Sequence, residues 1–205
     1  MKNIAIEAFK NYVPKIIGAE KGEYAILIPL IERADGFHVL FEKRAASVPQ
    51  PGEISLPGGR KEDFDQDAEK AAVRETCEEL GLEPNVIRVI TAFDTLVTPF
   101  NKVLYSYLAV IDQRVEFKIN QAEVAELLSV PLLFFVETEA RVYEGKTSVQ
   151  RAVDFPFELI PNGRNYNFAT GYYPTYFYEY NGTVIWGITA ALMKYFADAV
   201  RRLIV

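Results

Sequence analysis

The chain has 205 residues, of which 50% are hydrophobic and 24% are charged, so it can bury a sizeable core. Its net charge of -6 and its pI near 5.0 argue against sequence-independent binding to nucleic acid or to an anionic membrane, because both require a basic surface. The single cysteine, Cys77, excludes an internal disulfide and suits a reducing compartment. Without a signal-peptide pattern or a long apolar run, the sequence predicts a cytoplasmic protein.

The first part of the chain predicts a short lead-in followed by a hairpin. Residues 1–22 have weak periodicity, and we expect one domain over residues 23–205. Residues 24–31 and 37–41 are apolar and rich in strand-forming residues, and Asp35-Gly36 between them favours a tight turn. These two runs should therefore pair as antiparallel strands.

A loop rich in proline and glycine leads into a predicted helix. Residues 45–59 contain too many of these residues for regular structure beyond one short strand. The helix is predicted over residues 67–80, with Asp65 or Asp67 as its N-cap. Gly81 should end it.

The rest of the chain alternates strand-like runs with two helical segments. An Asn-Gly pair at residues 181–182 predicts a second hairpin. Strands on both sides of one central helix, with a second long helix at the end, predict an α+β fold, an α/β/α sandwich with a mixed sheet between helices. The predicted strands are 86–97, 103–111, 123–130, 176–180 and 183–186, with strands and turns over 141–160, and the predicted helices are 131–136 and 187–203.

The central helix carries three glutamates on one face. Glu75, Glu78 and Glu79 stand at i, i+3 and i+4, where like charges repel by a few tenths of a kcal/mol per pair. A divalent cation would remove that repulsion, and Mg²⁺ is usually held by one or two carboxylates plus phosphate oxygens. An acidic helix face is by itself usually only solvated, so the neighbouring residues decide between the two interpretations.

Two neighbouring features favour a metal site. Gly58-Gly59 lies upstream, where a turn without Cβ atoms can approach the helix closely, and a carbonyl of Gly58 or Gly59 could complete the metal shell. Arg74 could turn back and hold Glu75 through a bidentate pair. Asp65 is a helix cap or a supporting acid.

Together these residues resemble the Nudix box, which has a glycine, five residues, an acid, seven residues, and then Arg-Glu-aliphatic-x-Glu-Glu-x-Gly-aliphatic. Asp65 takes the place of the upstream glutamate, the gap from there to Arg74 is one residue longer, and Thr76 replaces an aliphatic residue. The matching residues are Gly59, Arg74, Glu75, Glu78, Glu79, Gly81 and Leu82.

The flanking sequence is similar to the Nudix branch that cleaves coenzyme A and its derivatives. Residues 50–59, Gln-Pro-Gly-Glu-Ile-Ser-Leu-Pro-Gly-Gly, resemble the stretch before the box in that branch, as do the longer gap and its aspartates. Val48 departs from the branch, which has an arginine four residues before Gly52. Residues 95–100, 123–132 and 185–190 also resemble it.

The resemblance implies a Nudix fold and hydrolysis of a nucleoside diphosphate linked to another group, through water attack on phosphorus with Mg²⁺ or Mn²⁺. The substrate would be coenzyme A or a related conjugate. Alternatives are ADP-ribose, a dinucleotide or a nucleoside triphosphate, or a Nudix module that senses nucleotides without cleaving them. The sequence does not determine the oligomeric state, for which a homodimer is the commonest form among soluble oligomers.

The resemblance also implies roles for individual residues. Glu75 would be a metal ligand and possible base, and Glu78 and Glu79 would be the principal ligands, with Arg74 positioned beside them. A further acid would come from Glu123 or Glu126, between which the sequence does not choose. Arg44 and Arg60 are the candidates for phosphate contacts.

Overall fold

The computed structural model of the chain describes residues 16–19 and 22–203, so most of the predicted lead-in, residues 1–22, lies outside the described residues. No helix in these ranges is long and apolar enough to span a membrane. The helices are α1 (Ala68–Leu80), α2 (Leu132–Glu137) and α3 (Gly187–Leu203), and short 3-10 turns span Pro84–Val86, Phe157–Leu159 and Gly163–Asn165. The strands are β1 (Glu23–Arg33), β2 (Gly36–Arg44), β3 (Ile54–Ser55), β4 (Gly58–Arg60), β5 (Ile87–Ala92), β6 (Leu96–Val97), β7 (Val103–Ile111), β8 (Val124–Pro131), β9 (Arg141–Tyr143), β10 (Lys146–Thr147), β11 (Gly171–Tyr172), β12 (Thr175–Tyr180) and β13 (Thr183–Trp186).

Eight of these strands form one mixed sheet. Its main path is β3-β2-β1-β7-β5, and β4, β6 and β8 pair with β1, β7 and β2 respectively. Strands β1 and β7 run parallel, whereas the predicted hairpin of β1 and β2 is antiparallel and is confirmed. The mixed sheet that the sequence predicted is therefore present.

Helices cover both faces of the sheet. Leu27 and Leu40 pack with Ala72 of α1 in one hydrophobic core, while Phe41 packs with residues of α2 and α3, such as Phe135, in another. The central residues of β1 are buried on both faces, which is expected for a strand inside a layered fold. The α/β/α sandwich is confirmed.

The local signals at α1 determine both of its ends. Asp67, not Asp65, is the N-cap, and its side chain accepts a hydrogen bond from the Lys70 backbone N–H at 2.8 Å. Gly81 ends the helix with a φ of 65° and packs against the Lys118 carbonyl, where an added Cβ would stand 2.1 Å away. The helix start and the helix end are therefore held in place on the same side of the sheet.

Two predicted strand segments are different in the structure. The predicted strand 86–97 begins one residue later, because the preceding proline begins a 3-10 turn over Pro84–Val86. It is divided into β5 and β6 by residues 93–95, which are irregular. Over residues 141–160 only β9 and β10 are strands, and the rest is irregular or 3-10. The predicted hairpin at 181–182 is confirmed as β12 and β13, with positive φ at both turn residues.

Candidate active site

The glycine pair joins the sheet to the acidic face of α1. The backbone N–H of Gly58 donates a 2.8 Å hydrogen bond to Oε2 of Glu79. Gly59 lies against Glu75, because a Cβ on Gly59 would stand 2.3 Å from Glu75 Oε2. Gly58 therefore holds Glu79 through its backbone N–H, and the absence of a side chain on Gly59 lets Glu75 lie against the sheet.

Glu79 meets a second carboxyl group that the sequence interpretation missed. Glu42, in β2, is 2% exposed and faces Glu79. Burial raises the pKa of both residues, and the neighbouring carboxylate of Glu42 raises the pKa of Glu79 further. The buried end of the acidic face is therefore a pair of facing acids rather than a single glutamate.

Arg74 organises the other end of the acidic face, although not as predicted. Its Nη1 makes a single ion pair with Glu75 Oε1 at 2.9 Å, so the expected bidentate pair with Glu75 is wrong. The bidentate partner is Asp65, whose two carboxylate oxygens each accept a bond of 3.0 Å from Nε and Nη2. These hydrogen bonds lower the pKa of Asp65, whose side chain is 4% exposed. Asp65 thus supports Arg74, which in turn orients Glu75.

Glu78 lies at the solvent side of the same face. Its side chain is 57% exposed and lies 3.3 Å from Arg74 Nη1. Glu75 lies between this exposed position and the buried Glu79, and burial raises its pKa. The three glutamates therefore form a gradient from solvent to interior along one and a half turns of α1.

The structure separates the two candidates for a further acid. Glu123, just before β8, is close enough that its charge contributes to raising the pKa values of Glu42, Glu75 and Glu79, after the larger effect of burial. Glu126 pairs across the strands with Lys43, at 3.8 Å, and lines a groove with it. Glu123 therefore lies near the acidic face, and Glu126 does not.

The two arginines predicted to contact phosphate have other contacts here. Arg44 is near enough to lower the pKa of Glu42, but its Nε donates to the Pro49 carbonyl at 2.8 Å. The Arg60 side chain lies beside Gly22, and only its backbone carbonyl contacts Arg74. Of these two arginines, Arg44 is the one whose charge acts on an acid of the cluster, Glu42.

The donor chemistry of this cluster fits a hard divalent cation. Its candidate ligands are carboxylate oxygens and a glycine carbonyl oxygen, and Oε2 of Glu42 is buried without a hydrogen-bond partner among the residues that the structure describes. Within the same ranges, no three acidic, histidine or cysteine side chains already form a metal-binding group. Glu75 and Glu79 instead contact two protein donors, Nη1 of Arg74 and the backbone N–H of Gly58.

A family comparison matches the same segment. The family model of the NUDIX domain matches residues 23–146, which include the sheet, the glycine pair and α1. The chain belongs to the Nudix family. It has the α+β Nudix fold.

Several Nudix relatives are similar over much of the chain. The peroxisomal coenzyme A diphosphatase NUDT7 of Mus musculus is 29% identical over 134 residues, which are 65% of this chain and 56% of that protein. The mitochondrial Nudix hydrolase 15 of Arabidopsis thaliana is 29% identical over 174 residues, 82% of this chain and 55% of that protein. This chain thus spans about half the length of these relatives. The solved Nudix hydrolase RenU from M. Smegmatis is 24% identical, with a TM-score of 0.48, over 55% of this chain and 72% of that one.

A groove of about 600 Å³ lies beside the Nudix sheet, between β3 and the β12–β13 hairpin. Lys43 and Glu126 line it from β2 and β8, and Trp186, stacked on Phe177, lines it from the hairpin. Lys43 follows Glu42 in β2, and successive side chains of a strand point to opposite faces. The groove and the acidic cluster therefore lie on opposite faces of the same edge of the sheet.

Proposed function

We propose that this chain is a Mg²⁺- or Mn²⁺-dependent Nudix hydrolase that splits the diphosphate bond of coenzyme A or a related nucleotide conjugate. Water would attack one of the two phosphorus atoms. The observation that carries the proposal is the cluster of Glu75, Glu79 and Glu42 around the glycine pair. One buried carboxylate oxygen of this cluster has no hydrogen-bond partner in the described part of the chain. An acidic cluster would repel a diphosphate, and a divalent cation would bridge the two.

The residues of α1 would have two roles, binding of the cation and positioning of its ligands. Glu75, Glu78 and Glu79 would hold the cation through their carboxylates, and a carbonyl of Gly58 or Gly59 would complete the shell. When bound, the cation neutralises phosphate charge and lowers the pKa of its water. Arg74 would keep Glu75 in position, through the contacts that it makes with Glu75 and with Asp65.

The proton of the attacking water needs an acceptor. Glu75 and Glu123 are the two candidates on the acidic face, because a carboxylate can act as a general base. Glu123 is exposed and would approach from the start of β8. Arg44, which lies on the same side as Glu42, is the basic residue best located for a phosphate contact.

Two observations support coenzyme A as the substrate. A relative that matches 134 residues carries the name of a coenzyme A diphosphatase. The segment from Gln50 to Gly59 and the longer gap before Arg74 also resemble that branch. We propose in addition that residues 23–205 form one domain and that the protein acts in the cytoplasm.

A substrate panel tests the proposal directly. Coenzyme A, ADP-ribose, a diadenosine polyphosphate and a noncanonical nucleoside triphosphate would be incubated with the enzyme and either Mg²⁺ or Mn²⁺, and the products separated by chromatography. We expect 3′,5′-ADP and 4′-phosphopantetheine from coenzyme A. If neither product forms while another diphosphate is split efficiently, the coenzyme A assignment is wrong.

A variant tests the assignment of the site in the same assay. Glu78→Gln should lower turnover by orders of magnitude while the fold is retained, because this residue is exposed and its change leaves the core intact. Glu69→Gln, the same change at a half-buried position on the N-terminal turn of α1, is the control and should keep its activity. Full activity in Glu78→Gln would reject the proposed site.

A further inference from the structure

Glu42 is in an unusual place for an acid. It lies inside the sheet, with Ser55 of β3 on one side and Leu127 of β8 on the other, and only 2% of it is exposed. Its Oε2 and the hydroxyl of Ser55 are both buried without a hydrogen-bond partner among the described residues. Buried polar atoms in folded proteins nearly always have partners, so two orphans at paired positions indicate a missing ligand.

The orphan oxygen belongs to the acidic face of the sheet. In β2, Leu40 packs in the core beside α1 and Phe41 packs in the core beside α3. The alternation of side chains along the strand puts Glu42 on the α1 side. There it contacts Glu79, which also accepts the Gly58 hydrogen bond.

Three kinds of ligand could satisfy this oxygen. An anion is excluded, because the surrounding carboxylates would repel it. A water molecule could bond to Oε2 and to the Ser55 hydroxyl, but it would leave the negative charges of Glu42, Glu75, Glu79 and Glu123 close together. A divalent cation would satisfy the oxygen and reduce that repulsion at the same time.

We propose that Glu42 is an additional ligand of the catalytic divalent cation, contributed by β2 rather than by the acidic helix. This inference rests on the proposed metal-dependent function. It goes beyond the Nudix box, because Glu42 lies 17 residues before Gly59 and outside the pattern of the box. The hydroxyl of Ser55 is a positioning group that orients a water molecule or the Glu42 carboxylate. The cation would thus connect α1 to the sheet.

Binding of Mn²⁺ alone tests the role of Glu42 without any turnover. The affinity of the intact protein for Mn²⁺ would be measured by the loss of the free-ion electron paramagnetic resonance signal, for the wild type and for Glu42→Gln. We expect the substitution to weaken Mn²⁺ binding about tenfold or more. The melting temperature without metal should be unchanged or higher, because the neutral amide no longer repels Glu79.

Two further variants keep the test decisive. Glu42→Asp retains the charge but withdraws the carboxylate by one methylene, so it should also weaken Mn²⁺ binding if Glu42 is a ligand. Glu32→Gln, the same change at an exposed position of β1, should bind Mn²⁺ as the wild type does. Circular dichroism would verify that each variant is folded, and Glu42→Asp replaces Glu42→Gln if the latter does not fold.

The outcomes distinguish this inference from the proposed function. If the wild type binds Mn²⁺ and splits coenzyme A, but both Glu42 variants bind Mn²⁺ with unchanged affinity, Glu42 is only a structural partner of Glu79 and the inference is wrong. If the wild type neither binds Mn²⁺ nor splits any diphosphate, the proposed function fails and the inference fails with it. Weakened binding in both Glu42 variants, with normal binding in Glu32→Gln, supports the inference.

Discussion

The two adjacent glycines should respond to the same substitution in different ways. A Cβ on Gly58 would stand 2.4 Å from the carbonyl oxygen of Ala25 and 2.6 Å from the Cα of Ile26, both of which are backbone atoms of β1. For a Cβ on Gly59, the three nearest atoms all belong to the carboxylate of Glu75. Gly58→Ala should therefore damage the fold, whereas Gly59→Ala should damage the site.

The sizes of the two effects follow from these contacts. Gly58 has a φ of 140°, and strain of about 1–3 kcal/mol is expected for a residue with a side chain there. Overlap with backbone that cannot move adds about 1–3 kcal/mol. The total of about 2–6 kcal/mol is a large part of the 5–15 kcal/mol that usually stabilises a domain. In Gly59→Ala, the carboxylate of Glu75 must move by about 1 Å, a displacement that can lower activity about 100-fold.

Urea unfolding and diphosphatase assays on both variants would measure the two effects. Gly52→Ala is the matched control, because Gly52 also has a positive φ, 79°, but has open space around it. It should lose about 1–2 kcal/mol from backbone strain alone. The reasoning is refuted if Gly58→Ala is as stable as Gly52→Ala, or if Gly59→Ala keeps wild-type turnover.

Three other measurements follow from the site. Asp65→Asn should weaken the hold on Arg74 and lower both turnover and, by a few degrees, the melting temperature. The pKa of Asp65 is lowered from 3.8, so its contribution to stability is present above that pH and is lost as the pH falls below it. The Asp65→Asn variant should therefore lose less stability than the wild type on acidification. Acid titrations followed by circular dichroism would measure this difference. Glu123→Gln should reduce turnover and Glu126→Gln should not, in assays at saturating Mg²⁺; equal effects would contradict the separation of the two acids. Burial raises the pKa of the Cys77 thiol to about 11, so a thiol reagent at neutral pH should label the native protein far more slowly than the urea-unfolded one.

The sequence predicted best those elements whose signals are local. The boundaries of β7 and α3 agree with the predicted ranges, because alternation and helical periodicity are continuous there. The helix α1 was also predicted closely. Gly81 ends it as predicted, and Asp67 is the N-cap, one of the two candidates that the sequence offered with Asp65. By contrast, the strands expected over 141–160 were mostly wrong after Thr147, because apolar and aromatic composition alone does not supply a pairing partner.

In the candidate site, too, the features with local sequence signals were predicted and a contact between distant segments was missed. The spacing of Glu75, Glu78 and Glu79 was enough to predict a shared face, since three residues within one helix form it. Glu42 was missed, because the predicted strand ended at residue 41 and an acid at its end normally points to solvent. Its contact with Glu79 joins residues 37 positions apart, and no pattern within either segment contains that information.

Neighbouring side chains of β2 belong to different sites on the two faces of the sheet, and this affects how the chain could be engineered. Glu42 and Lys43 are neighbours in the strand, yet one contacts the acidic helix and the other lines the groove of the β12–β13 hairpin. Inserting one residue within the strand would exchange the faces of all the residues beyond it and bring a lysine toward Glu79. Inserting residues in the exposed turn at Asp35-Gly36 would leave those faces unchanged, so that turn is the safer site for attaching a tag or a fused domain.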